Sequence, residues 1–153
     1  MEKKFLQKGV SVIEILIIIA IISALIAVIA LPFGSFRSRQ ALENTTALAV
    51  SVLTEARART MAGLGDTNYS VLFEANQLTL FSGPTYSSSH PDNEVFVYEQ
   101  PVTLQSISVS GGGSKITFDR LKGTTSNSGS VILTIPSGDT RSLSVSGSGS
   151  INR

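Results

Sequence analysis

Glu14 is the single charged residue in the 22-residue run 10–31, VSVIEILIIIAIISALIAVIAL, and its position asks for a chemical reason. If a helix begins at Val10, this carboxylate lies about 6 Å into the apolar run. It would cost about 2.5–3.5 kcal/mol at the middle of a bilayer and less near the interface. Two readings account for it: the side chain reaches out to water among the headgroups, or it awaits a cation supplied by another chain. The lone histidine, His90, follows Ser87, Ser88 and Ser89 and precedes Pro91, as in an exposed polar loop. One histidine cannot form a multi-histidine metal site, and from such a turn it is a poor base for a Ser, His and acid grouping. Asp92 and Glu94 could offer oxygens to calcium, but the alternating ligands of an EF-hand loop are missing. The glycines 111–113 are not followed by a Lys-Ser/Thr pair opening a helix, so they read as a hairpin tip rather than a phosphate cradle. Cysteine is absent, which excludes disulfides, thiolate metal sites and cysteine nucleophiles. The expectation is a chain with no catalytic residue, no metal site and no cofactor, and not an enzyme.

The elements that would hold Glu14 follow from hydrophobic patterning. Twenty-two residues of helix span roughly 33 Å, about the thickness of bilayer hydrocarbon, so 10–31 is expected to be a transmembrane helix. A secretory signal has a shorter apolar run of about 7–15 residues, although the alanine-rich stretch 24–30 keeps an Ala-x-Ala-like cleavage site as an alternative. Lys3, Lys4 and Lys8 before the run face Arg37 and Arg39 after it, a weak charge bias. The short leader against a large polar remainder places the N-terminus inside and the remainder outside. Pro32 and Gly34 are expected to break the helix, by a kink or local melting near 31–34, or else simply to end the span. Residues 35–62 hold no Pro or Gly, and Leu42, Ala49, Leu53 and Ala56 share one helical face. This amphipathic continuation ends at Gly63-Leu64-Gly65. Together the two segments predict a helix of about 53 residues, near 80 Å long, whose exposed first half must meet lipid or other copies of itself.

Downstream, alternation predicts strands at 69–73, 77–81, 95–98, 104–109, 115–118, 131–135 and 141–145, with a short one near Ile151 and a hairpin loop at 74–76. Seven or eight short strands with Gly/Ser turns form an antiparallel sheet or sandwich that can pack on the amphipathic helix. The fold class expected is α+β. Its segments are 1–9 as a leader, 10–31 as a transmembrane helix, 32–62 as its amphipathic continuation and 63–153 as a β-rich domain. The whole chain carries 12 basic and 11 acidic residues; removing 1–9, with three lysines and Glu2, leaves nine and ten. A near-neutral chain has no polybasic field of the kind that holds nucleic acid.

Gly9, Val10, Ser11, Val12, Ile13 and Glu14, with Lys8 before and an apolar run after, resemble the type IV prepilin cleavage and methylation motif: glycine, a hydrophobic residue, Thr or Ser, two aliphatics, glutamate. Val10 departs from the usual Phe or Met at the first mature position. The resemblance implies a type IV pilin-like or pseudopilin subunit, cut between Gly9 and Val10 by a membrane prepilin peptidase and N-methylated at Val10. It implies that the new ammonium on Val10 pairs with Glu14 of a neighbouring subunit, making Glu14 an assembly residue. The partners implied are other pilin subunits, the prepilin peptidase, an inner-membrane assembly platform and membrane lipid. The subunit would sit as a single-pass protein of the inner membrane, with its C-terminal domain periplasmic or extracellular, before entering a filament of a pilus or a type II secretion system. More faintly, Leu53-Thr-Glu-Ala-Arg57, then Phe118 and Gly123 with a long turn, then Val145-Ser-Gly-Ser-Gly-Ser-Ile151, resemble the minor pseudopilin H family and its type IV pilus relatives. The alternative the resemblance offers is a competence-type pilin binding DNA, for which Arg120, Lys122, Arg141 and Arg153 are the candidate basic patch. Interspersed Asp119 and Asp139 read more simply as a solvated face, and DNA is not the expected partner.

Overall fold

The computed structural model describes residues 10–153, without the side chains of residues 27–33. Gly9 and the leader 1–9 lie outside the described residues. The chain divides into two units, one extending to Phe36 and the other running Arg37–Arg153. A single helix, α1 (Val12–Met61, 50 residues), contributes to both.

The backbone stays helical across Pro32 and Gly34, so the melting expected at 31–34 is absent. A proline removes one donor and strains one turn, but neighbouring turns can hold the helix through it. Gly34 is exposed, and a side chain there would meet nothing within 4 Å. In the first unit every described side chain from Val10 to Ile26 is exposed, with Val12 at 78% and Leu16 at 58%. Among the described residues no helix is long and apolar enough to cross a membrane. The described side chains of the apolar run stop at Ile26, 17 residues from Val10. The remainder of the expected span, up to Leu31, lies outside the described side chains.

The second unit is α+β. From Arg37 onward α1 buries Leu42, Thr45, Thr46, Ala49, Val52, Leu53, Ala56 and Thr60, at steps of three and four that keep one face inward. The helix stops where Gly63 takes φ +66°, a left-handed turn that a side chain would strain, and Leu64–Asp66 follow as one 3-10 turn. Eight strands then form two antiparallel sheets. β1 (Tyr69–Phe73), β2 (Gln77–Ser82), β3 (Glu94–Val97) and β5 (Lys115–Thr117) make one, in the order β3-β2-β1-β5. β4 (Thr103–Val109), β6 (Gly129–Thr134), β7 (Thr140–Val145) and β8 (Ile151–Asn152) make the other, in the order β4-β6-β7-β8.

One core joins the buried helix face to both sheets, with Val71, Phe73, Leu78, Leu80, Ile116 and Phe118 from the first and Val131, Leu133, Leu143 and Val145 from the second. Each fully buried large aliphatic or aromatic side chain here contributes about 1.5–3 kcal/mol of transfer free energy. Alternation explains the second sheet: along β7, Leu143 and Val145 are buried while Ser142 and Ser144 face out. The 74–76 turn forms where expected, closed by the Glu74 N–H donating to the Gln77 carbonyl at 2.9 Å. Its remaining carbonyls are not idle, since Ala75 accepts from the Leu104 N–H and Asn76 from the Tyr98 N–H.

Candidate processing and assembly segment

The segment that carries the expected chemistry begins at Val10, 65% exposed, the first described residue of the motif. Gly9, on the other side of the expected cut, lies outside the described residues. Ser11 precedes the helix, and its carbonyl accepts from the N–H groups of Glu14 (3.0 Å) and Ile15 (3.3 Å). Glu14 therefore stands in the first turn of α1, where the unpaired amides and the helix dipole favour negative charge. Its side chain is exposed, and it has no ion-pair or hydrogen-bond partner among the described residues. Around it, Ile13, Ile15, Leu16, Ile17 and Ile18 are exposed by 44–63%. Every described face of this apolar stretch is thus bare, an exposed apolar surface larger than folded chains commonly leave uncovered. Pro32 and Gly34 lie farther along the same helix, and the side chain of Pro32 is outside the described set.

The other residues with chemical potential are placed in ordinary roles. His90 is exposed, and its Nδ1 accepts from the Asp92 N–H at 3.3 Å. Glu94, a possible calcium oxygen in the sequence, instead accepts from Arg59 at 2.5 Å, and Arg59 also bonds Glu55. The hydrogen bond that Arg59 donates to Glu94 leads in raising the Arg59 pKa above its ordinary value, against desolvation and with help from Glu55. No group of three or more His, Cys, Asp or Glu side chains among the described residues could hold a metal ion. The glycines 111–113 are exposed and all take positive φ in a tight turn after β4.

The four cations considered as a DNA patch are not one field. Arg120 pairs with Asp66, while Arg141 and Arg153 share Glu43 of α1. Lys122 is exposed in the turn after Arg120. Arg39 donates to Asp139 at 3.0 Å, and that bond, with one from Ser137, holds the exposed Asp139 carboxyl below the ordinary carboxylate range. A neutralised pair releases few counterions and adds little to phosphate binding.

Sequence reasoning missed the polar ties between α1 and the strands. The Thr60 hydroxyl donates to Ala56 O (2.8 Å) and accepts from the Tyr69 N–H (3.0 Å), and the Thr60 carbonyl accepts from the Leu121 N–H (3.2 Å). Arg57 Nε donates to the Gly123 carbonyl at 3.0 Å. Such long-range side-chain to backbone bonds leave no periodic trace; only the threonines on the apolar face of the helix hint at them. Compared with protein-family models, with curated proteins and with solved structures, the chain matches none of them.

Proposed function

We propose that this chain is a structural subunit of a type IV pilin-like filament, a minor pilin or pseudopilin, cut after Gly9 and assembled through the N-terminal part of α1. The observation that carries the proposal is the sequence 9–14 followed by an apolar helix whose described side chains, Val10 to Ile26, are all exposed. Cleavage between Gly9 and Val10 creates an ammonium. Paired with Glu14 of a neighbouring copy, it neutralises a carboxylate that is unfavourable alone in apolar surroundings. Processing and assembly are then one charge arrangement. Before assembly the subunit is a single-pass protein of the inner membrane, its span running 10–31, with the β unit on the far side. A pilus and a type II secretion filament both fit this role. The DNA-binding reading loses support from the pairing of Arg120, Arg141 and Arg153 with carboxylates.

The test uses cells that supply prepilin peptidase and an assembly platform. Glu14→Gln and Glu14→Leu should both be cut after Gly9 yet fail to enter filaments. Normal incorporation of both variants would refute the charge arrangement.

A further inference from the structure

Four strands form the edges of the two sheets, and three of them are blunted. β4 breaks register between Leu104 and Ser106 and gives the Leu104 N–H to Ala75, β8 is two residues long, and on β5 the Thr117 carbonyl accepts from the Thr125 hydroxyl at 2.7 Å. β3 is different. It pairs with β2 through Leu78↔Phe96 and Leu80↔Glu94, and the Tyr98 N–H continues that series by donating to the Asn76 carbonyl. Backbone groups alternate in an antiparallel ladder, so those of Glu94, Phe96 and Tyr98 turn towards β2 and those of Val95 and Val97 turn away. No strand lies on that outer side among the described residues. The Val95 and Val97 side chains share the face opposite Phe96 and are 51% and 65% exposed. Edge strands are commonly protected by lysine, proline, a bulge or an unpaired charge. β3 holds none of these, because its one charged residue, Glu94, is neutralised by Arg59 at 2.5 Å. The free edge ends at Glu99, whose N–H goes to the Thr45 hydroxyl. There a groove of about 450 Å³ opens between Asn44, Thr45 and Leu48 of α1 and Val97 and Glu99.

We propose that this edge pairs with the β3 edge of a second copy, antiparallel about Phe96, so that two sheets become one. The sequence 92–100, DNEVFVYEQ, selects a second copy as the occupant. Turned upon itself about Phe96, it sets Val95 opposite Val97, Glu94 opposite Tyr98, Asn93 opposite Glu99 and Asp92 opposite Gln100. No carboxylate then meets a carboxylate, and the exposed valines of each copy cover those of the other. Such self-complementarity is what a two-fold contact requires. The two pairs of Val95 with Val97 are also the ones whose backbone groups are free, so each pair exchanges two hydrogen bonds. Moving the axis to Val95 or to Val97 loses the match: the first sets Val97 against Asn93, and the second sets Val95 against Glu99. Past the ladder, the groove on α1 receives the residues that precede Val95 in the other copy. The contact belongs to the β unit and does not rest on cleavage after Gly9 or on the filament reading.

The chain has no cysteine, so introduced ones report without interference. Val95→Cys and Val97→Cys, both at exposed positions and both expected to keep the parent urea midpoint, are made in the uncut full-length chain. Each is oxidised mildly in detergent micelles, alone and as an equal mixture of the two. In the proposed register Val95 faces Val97 of the other copy with Cα atoms about 5.5 Å apart, within disulfide reach, whereas each residue lies about 8 Å from its own counterpart, beyond it. The mixture should therefore cross-link at least about fivefold more than either variant alone. Association through the apolar helices raises all three yields together and cannot produce that contrast. Val97→Lys added to the Val95→Cys chain should lower the mixed yield several-fold, since a lysine on the edge opposes pairing. A single variant that cross-links as well as the mixture, or a mixed yield indifferent to the lysine, overturns the proposal. So does the absence of any cross-link, which would leave the edge to a strand of another protein.

Discussion

At the scale of single residues, two positions outside the apolar helix make sharp demands. Gly149 takes φ +77°, and a Cβ there would lie 1.8 Å from the Gly123 carbonyl oxygen and 2.9 Å from Arg57 Nε. The approach brings the C-terminal turn against the 119–125 turn, and the Arg57 bond to Gly123 ties both to α1. Gly149→Ala should therefore destabilise the folded chain by about 2 kcal/mol or more, through strain and displacement of backbone. A urea midpoint unchanged from the parent would show that the turn yields freely. Tyr98 is 2% exposed, and its hydroxyl has no hydrogen-bond partner among the described residues. Burial, with a smaller push from Glu74, raises its pKa above the ordinary phenol value. The folded state thus prefers the neutral phenol more than the unfolded chain does. That contribution is fully present below about pH 10, the unfolded value, and is lost as pH climbs through the folded one. Stability measured from pH 8 to 11 should fall at the alkaline end, and Tyr98→Phe should flatten the fall while leaving neutral-pH stability equal or slightly higher. An identical alkaline slope in both proteins would contradict this.

At the scale of elements, α1 is one helix by backbone with two kinds of surface. From Arg37 onward it buries a face of small and aliphatic side chains, and Leu53, 0% exposed, lies in the shared core with both sheets. Leu53→Ala should cost about 2–5 kcal/mol through lost burial and a residual cavity. Ala47, exposed on the same helix, should tolerate Ala47→Ser within about 0.5 kcal/mol. Comparable urea shifts for the two would mean that the helix does not pack on the strands as described. Much of this was legible beforehand. Leu42, Ala49, Leu53 and Ala56 declared the inward face, and strand β1 spans the expected 69–73, although its burial does not alternate, Ser70 and Val71 both being buried. Strand β6 begins at Gly129, earlier than the expected 131, because Gly and Ser give no strand signal although the neighbouring ladder supplies the pairing. The sequence allowed one sheet or a two-sheet sandwich, but the strand order was not legible, since β5 leaves the chain order to pair with β1, a choice made by tertiary contacts rather than by local pattern. Pro32 and Gly34 misled in one respect: residues that weaken a helix locally did not interrupt it. In the candidate site, Glu14 was legible as the lone charge of the apolar run, and the helix start at Val12 places it in the first turn.

At the scale of the whole molecule, the second unit has a complete core of its own, whereas the described N-terminal stretch exposes its apolar side chains on every face. That asymmetry is what a subunit needs if one part is to remain folded while the other changes surroundings from lipid to neighbouring copies. On this account the leader serves to keep the Val10 amine locked in a peptide bond until the subunit is in the membrane. Removal of 1–9 then changes the chain from 12 basic and 11 acidic residues to nine and ten, and it adds an ammonium where Glu14 of another copy can use it. The most direct measurement is the intact mass of the chain produced with and without a prepilin peptidase, together with the same pair for Gly9→Ala. The account predicts that the parent chain loses residues 1–9 only when the peptidase is present, so that the product begins at Val10, and that Gly9→Ala keeps its full mass. A parent chain of the same mass in both conditions, or one cut elsewhere, would contradict it.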